Sequence, residues 1–259
     1  MYEALSAGFD LILFAGQSNM AGRGCAEEAP LCPSGAAWEY RAVTDPHTLH
    51  PLTEPFGRNE NIPGFINDGE KKTGGLASAF AAEYYRLTGR AVVGVSASRG
   101  GTSSREWRDG LVQDASLRLR QAKAWLNTQG LTPVHTFVLW CQGETDGDHS
   151  ISAAEYRRNF EAVCHCLQSA GAQRCGLIQI GHFNRKLYPE DGRDVRYAVI
   201  REEQLHIAEG RPKVFLAASF EPYEALMKDA FHYCQQVYNG VGRQAAERCA
   251  AVLDKLSIR

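Results

Sequence analysis

The stretch LILFAGQSNMAGRG, residues 11–24, runs apolar to Gly16 and then places Ser18 between two amides, Gln17 and Asn19. A serine hydroxyl is a weak nucleophile at neutral pH unless a base takes its proton. At a turn from strand to helix its Oγ would project into a cleft. The N–H groups of the following helix would then face any oxyanion formed there. The same serine also reads as a plain helix N-cap, and the stretch alone does not separate the two. A base is offered far along the chain, where DAFHY puts Asp229 three residues before His232. In a loop or a first helical turn, that spacing lets the carboxylate hold one ring nitrogen and fix the tautomer. The other nitrogen is then left for the serine. The plainer alternative is a solvent-exposed loop histidine beside an acid. His182 also follows an apolar run and is a candidate substrate contact, whereas His135 and His206 read as structural.

These side chains need a frame. Five short apolar runs recur, DLILFAG, AVVGVSA, VHTFVLW, CGLIQIG and KVFLAAS, each stopping at or just before a Gly or another small residue. Such runs read as strands buried on both faces, the habit of parallel sheets. Helical stretches alternate with them. GGLASAFAAEYYRLTGR spaces Leu76, Phe80 and Tyr84 by four and stops at Gly89; LVQDASLRLRQAKAWLNTQG ends at Gly130. SAAEYRRNFEAVCHCLQSAG opens with Ser152 and Glu155 in a capping-box pattern. RDVRYAVIREEQLHIAEG and CQQVYNGVGRQAAERCAAVLDKL complete the set. The expected fold class is α/β, with a central five-stranded parallel sheet. Ligands of such sheets bind beyond the carboxyl ends of the strands. GQSNMAG, SRGGTSSREW, CQGETDGDH, GHFN and the segment holding Asp229 and His232 all fall there.

The chain of 259 residues reads as a single domain over 1–259, with one long irregular insertion at about 24–73 rich in Pro, Gly, Asn and Asp. A net charge of −2 without any basic run argues against nucleic acid or an anionic membrane as partner. No stretch approaches the roughly 18 apolar residues of a membrane span. The N-terminal segment lacks the pattern of a signal peptide, so a cytoplasmic location is expected. Of the eight cysteines, Cys164, Cys166 and Cys175 cluster around His165. They lack paired C-x₂-C spacing and read as buried, reduced thiols, with no metal expected.

Ser18 in GQSNM, Gly101 in RGGTS, the QGETD segment and the DAFH pair occur in the order of the SGNH/GDSL hydrolase superfamily. More narrowly, the chain resembles its sialate O-acetylesterase and carbohydrate esterase family 6 (acetyl xylan esterase-like) branch. GGTS followed by Trp107, VLWCQGETD and IREEQ are similar to that branch, and the matches span Phe14 to Gly242. The resemblance implies a flavodoxin-like three-layer α/β/α sandwich and a serine esterase that removes O-acetyl groups from a sugar or oligosaccharide without any cofactor. It implies Ser18 as nucleophile, His232 as base and Asp229 as orienting acid. The oxyanion donors it implies are the backbone at Ser18 and Gly101 and, in place of the superfamily's Asn, the Gln142 side chain. In related esterases a Glu in the QGETD segment is linked to the catalytic histidine or to the architecture around it. Glu144 therefore reads either as a second acid partner or as a group bonding nearby backbone N–H groups. Asp146 reads as a turn residue. Asn19, Arg99, Trp107 and His182 are candidate substrate contacts, Arg201 a supporting group, and Tyr223 an aromatic near the cleft. Other readings are a short-chain aryl esterase or thioesterase, an acetyltransferase, or a sugar-binding domain without catalysis.

Overall fold

The computed structural model describes residues 3–60, 64 and 66–253. Four positions of the insertion and the last three of the predicted C-terminal helix lie outside them. The strands are β1 (Phe9–Gly16), β2 (Ala37–Arg41), β3 (Asp45–Pro51), β4 (Ala91–Ser98), β5 (Thr136–Cys141), β6 (Arg174–Gln179) and β7 (Val214–Ser219). The helices are α1 (Glu3–Ser6), α2 (Ser18–Ala21), α3 (Ala77–Thr88), α4 (Ser104–Glu106), α5 (Val112–Thr128), α6 (Glu144–Asp148), α7 (Ala153–Ser169), α8 (Arg193–Gly210) and α9 (Gln235–Leu253).

All five predicted strands form, and they lie side by side in the order β4-β1-β5-β6-β7. Their pairings are all parallel. Every residue of β1 is buried because both faces of the sheet are covered. Leu11 and Leu13 join one core with Val93, Val138 and residues of α5, α7 and α8. Ile12 and Phe14 join the other with Phe80 of α3 and Val237 and Val241 of α9. Each such side chain contributes roughly 1.5–3 kcal/mol by leaving water. This two-sided demand explains why the strands read as continuous apolar runs rather than alternating ones.

The sheet has seven strands, not five. Within the insertion, β2 adds parallel to β4, and β3 closes the edge antiparallel to β2. The sequences AWEYR and DPHTLHP hid this, because an edge hairpin is only half buried and carries little apolar signal. The capping box also falls elsewhere. Ser152 Oγ accepts the Glu155 N–H at 3.3 Å, but the Glu155 carboxylate turns away to Arg105. The reciprocal pair is Ser103 and Glu106, at the start of α4. Among the described residues, no helix is long and apolar enough to cross a membrane.

The insertion also caps α3. The Glu54 carboxylate accepts the N–H groups of Phe56, Gly75, Ala77 and Ser78 at 2.9–3.3 Å. It sits where the helix exposes unpaired donors and a partial positive charge. Glu54→Ala leaves these donors without their acceptor, and a loss of about 2–4 kcal/mol in unfolding free energy is expected from urea titration. Glu54→Gln retains an acceptor and should lose about half as much.

Candidate active site

At the end of β1 the chain turns sharply. Gly16 has φ +139°, and a Cβ there would lie 1.9 Å from the Cys141 carbonyl oxygen. Only glycine permits so close an approach between the ends of β1 and β5. The Gln17 N–H donates to that carbonyl at 2.8 Å. The Gln17 side-chain oxygen accepts the Gly143 and Thr145 N–H groups at 3.2 and 3.3 Å. Ser18 then opens the one-turn helix α2, buried in the protein except for its share of a cavity wall.

His232 arrives from the opposite end of the sequence. Asp229 Oδ1 accepts the N–H groups of Phe231 and His232, each at 2.8 Å, and folds the loop back on itself. Its other oxygen, Oδ2, lies 3.0 Å from His232 Nδ1. His232 Nε2 lies 3.0 Å from Ser18 Oγ. Burial pulls the His232 pKa below its ordinary 6.5, and the charges of Arg23 and Lys228 add to this, while Asp229 opposes it. The imidazole is therefore neutral near pH 7 and free to accept a proton. Burial works against ionised Asp229, but its hydrogen bonds to Phe231 N–H and His232 prevail and hold it below the ordinary carboxylate value.

Asn19 faces inward rather than toward a substrate. Its Nδ2 donates to Glu144 Oε1 at 2.6 Å and to the Phe231 carbonyl at 3.1 Å, and its Oδ1 accepts the Tyr238 hydroxyl at 2.8 Å. Glu144 meets Asn19, and among the described residues the acid hydrogen-bonded to the imidazole is Asp229. Burial raises the Glu144 carboxyl to about 7 against the hydrogen bond from Asn19, and its Oε2 has no partner among the described residues.

Gln142 does not take the position of an oxyanion donor. It is fully buried, and its amide nitrogen donates to the Thr102 carbonyl at 3.0 Å, to Gln17 Oε1 at 3.3 Å and to Asp146 Oδ2. Asp146 is no ordinary turn residue: it is fully buried and also accepts the Ser104 N–H at 2.9 Å and the Ser104 hydroxyl. The pair thus ties the end of β5 to α4.

Ser18 and His232 line a cavity of about 300 Å³ with Gly101, Glu144, Thr145 and Phe231. Gly101 holds φ +70° there. Arg23, Asp68, Lys71 and Asp148 complete the charged part of the wall and were not singled out from sequence. Arg23 stood five residues beyond Ser18, but a cation in a glycine-rich turn carries no distinguishing pattern. Arg99 is exposed and lines an adjoining cavity of about 1000 Å³. Trp107 is wholly buried, its Nε1 donating to Thr102 Oγ1 at 3.0 Å and its ring against Trp140, so it supports the loop from behind. His182 pairs with Asp194 at 3.0 Å and lines a separate cavity. Arg201 is buried on Asp194 and the Gly181 carbonyl, both at 3.1 Å. Tyr223 packs beside the apolar core under α9 and does not line the Ser18 cavity.

The model of a family described as carbohydrate esterase, sialic acid-specific acetylesterase, matches residues 8–251. No match is found among curated proteins. Among solved structures, the chain is similar to a protein from Arabidopsis thaliana, with 19% identity and a TM-score of 0.67 over 95% of this chain and 98% of that one. It is similar to NanS, with 16% identity and a TM-score of 0.64 over 97% and 98%. It is also similar to a carbohydrate acetylesterase from Xanthomonas citri, with 17% identity and a TM-score of 0.57 over 97% of this chain and 57% of that one.

The raised Glu144 pKa makes a prediction about stability. Unfolded, this carboxyl ionises near its ordinary 4.5; folded, it keeps its proton to about 7. The folded chain binds more protons in that window, so the Glu144 contribution to stability falls as pH rises through it. Glu144→Gln removes the term. Unfolding free energies from urea titration should shift in favour of the variant by up to about 1.4 kcal/mol per pH unit between about pH 5 and 7.

Proposed function

The chain belongs to the carbohydrate esterase, sialic acid-specific acetylesterase family and is a carboxylic ester hydrolase, and on that premise we propose that Ser18 removes acetyl groups from the hydroxyls of a sugar or oligosaccharide. The observation that carries this reading is the linear series Ser18 Oγ, His232 and Asp229, joined by two contacts of 3.0 Å. His232 takes the Ser18 proton through Nε2 as Oγ attacks the acetyl carbonyl carbon. Asp229 holds the Nδ1–H tautomer and stabilises the imidazolium that forms. The carbonyl oxygen becomes an oxyanion, for which the backbone N–H groups of Ser18 and Gly101 are the donors. A donor of this kind typically lowers the barrier by about 3 kcal/mol. The tetrahedral adduct collapses, the ester C–O bond breaks, and His232 returns the proton to the departing sugar hydroxyl. Water, deprotonated in turn by His232, attacks the acetyl-serine and releases acetate. The polar and charged wall formed by Thr145, Asp148, Asp68 and Lys71 supports a hydroxylated leaving group over a lipid.

Ser18→Ala should leave the fold intact by circular dichroism and reduce acetate release by at least about 10³-fold; retained turnover would overturn the assignment. Asp229→Asn should cost about 10²–10⁴-fold in kcat, because it favours the wrong tautomer. The pH profile of kcat/KM should rise through one ionisation below 6.5 and stay level to neutrality, since protonated His232 cannot act as a base. Acetate release from acetylated xylan and from O-acetyl sialic acid, measured side by side, identifies the sugar.

A further inference from the structure

Among the described residues, Arg23 is the one arginine in the wall of the Ser18 cavity. Its Nη1 donates to the Gly22 carbonyl at 3.1 Å, and its Nη2 meets Asp68 Oδ2 at 2.5 Å. Asp68 belongs to the insertion, and its Oδ1 accepts the Gly100 N–H at 3.1 Å. The guanidinium rests directly on Gly100: a Cβ at that position would lie 2.4 Å from Arg23 Nη2 and 3.2 Å from Ser18 Cβ. Glycine at 100 is thus what lets a planar, fully charged donor fork stand beside the serine. Two of its five N–H groups are committed to Gly22 and Asp68, and the side chain keeps a surface on the cavity.

The leaving oxygen of the ester has to lie on the His232 side of Ser18, because that imidazole protonates it. Arg23 shares the wall of this one cavity with Ser18 and His232, so a leaving group held there meets the guanidinium. Beyond it the wall continues through Asp68, Lys71 and Gly100, which also line the cavity of about 1000 Å³. A sugar whose acetyl group sits on Ser18 and which extends toward that space passes this ion pair, because the two cavities share Asp68, Lys71 and Gly100. Resting on the esterase reading above, we propose that Arg23, held in place by Asp68, recognises the sugar by donating hydrogen bonds to its oxygens. The insertion thereby contributes to specificity through the carboxylate that fixes the guanidinium. Arg suits the task because its fork is rigid and loses little freedom per hydrogen bond, unlike a lysine ammonium on a flexible stem.

The test compares two acetyl donors. One is p-nitrophenyl acetate, whose leaving group carries no hydroxyl. The other is whichever of acetylated xylo-oligosaccharide and O-acetyl sialic acid the unmodified protein cleaves faster. In Arg23→Ala and Asp68→Asn, the ratio of kcat/KM for the sugar ester to that for p-nitrophenyl acetate should fall at least about tenfold, mainly through KM. Arg23→Lys should recover only part of it. If Arg23→Ala does not fold, Arg23→Lys supplies the same ratio. Equal losses on both donors would make Arg23 a support of the serine, and unchanged ratios would exclude it from sugar binding; either overturns the proposal. If the unmodified protein cleaves p-nitrophenyl acetate but neither sugar ester, the sugar reading fails first, and the role of Arg23 falls with it. Loss of both activities in Ser18→Ala with a reduced ratio in Arg23→Ala supports both.

Discussion

The site depends on one amide. Asn19, next to Ser18, simultaneously holds a carboxylate at the start of α6, a carbonyl of the loop before α9 and a hydroxyl on α9 itself. Ser18 and His232 are 214 residues apart in the chain, and their 3.0 Å contact survives only if the two segments keep a fixed relation. A side chain with two donors and an acceptor can set that relation in a dry interior, where each unmade hydrogen bond costs about 1–3 kcal/mol. An aspartate in its place could not donate, and a leucine could do neither.

Around this amide the two buried acids of the QGETD segment are treated differently. Asp146 accepts from Gln142 and Ser104, which offset part of its burial, although burial still raises its carboxyl above the ordinary value, and it serves as a tie between two loops. Glu144 has one bonded oxygen and one without a partner, and burial moves its carboxyl toward neutrality. A neutral Glu144 adds no negative charge beside His232. That spares the imidazole a second anionic neighbour, which would raise its pKa and make it a poorer base at mildly acid pH. Asp229 supplies the orienting charge instead, and its loop geometry binds it to the backbone as well as to the ring.

The insertion links the rim of the sheet to the chemistry. It adds β2 and β3 at one edge, caps α3 through Glu54 and reaches the cavity through Asp68. Its backbone is satisfied largely by carboxylates and by an edge hairpin rather than by a large apolar stripe. That economy of apolar residues is why it resembled a structureless loop.

The five parallel strands and the long helices between them were legible because burial on both faces of a sheet forces a pattern that no other local structure repeats. The closeness of Ser18, Asp229 and His232 was foreshadowed by a strand end and a three-residue spacing, which are properties of neighbouring residues, whereas Gly101 stood out only through the resemblance. The edge hairpin was not, because half-buried strands write no continuous apolar run. Nor were the directions of Asn19, Trp107 and Gln142, each of which looked available for substrate and proved committed inside the protein, nor that of His182, which faces another cavity. A side chain beside a strand end can point into the cleft or behind it, and only the partners brought up by distant elements decide which. The chain's local chemistry therefore determined which residues could react; the tertiary structure decided which of them had hydrogen-bonding capacity left to do so, because in a packed interior most donors and acceptors are claimed by whatever the fold places within hydrogen-bonding distance.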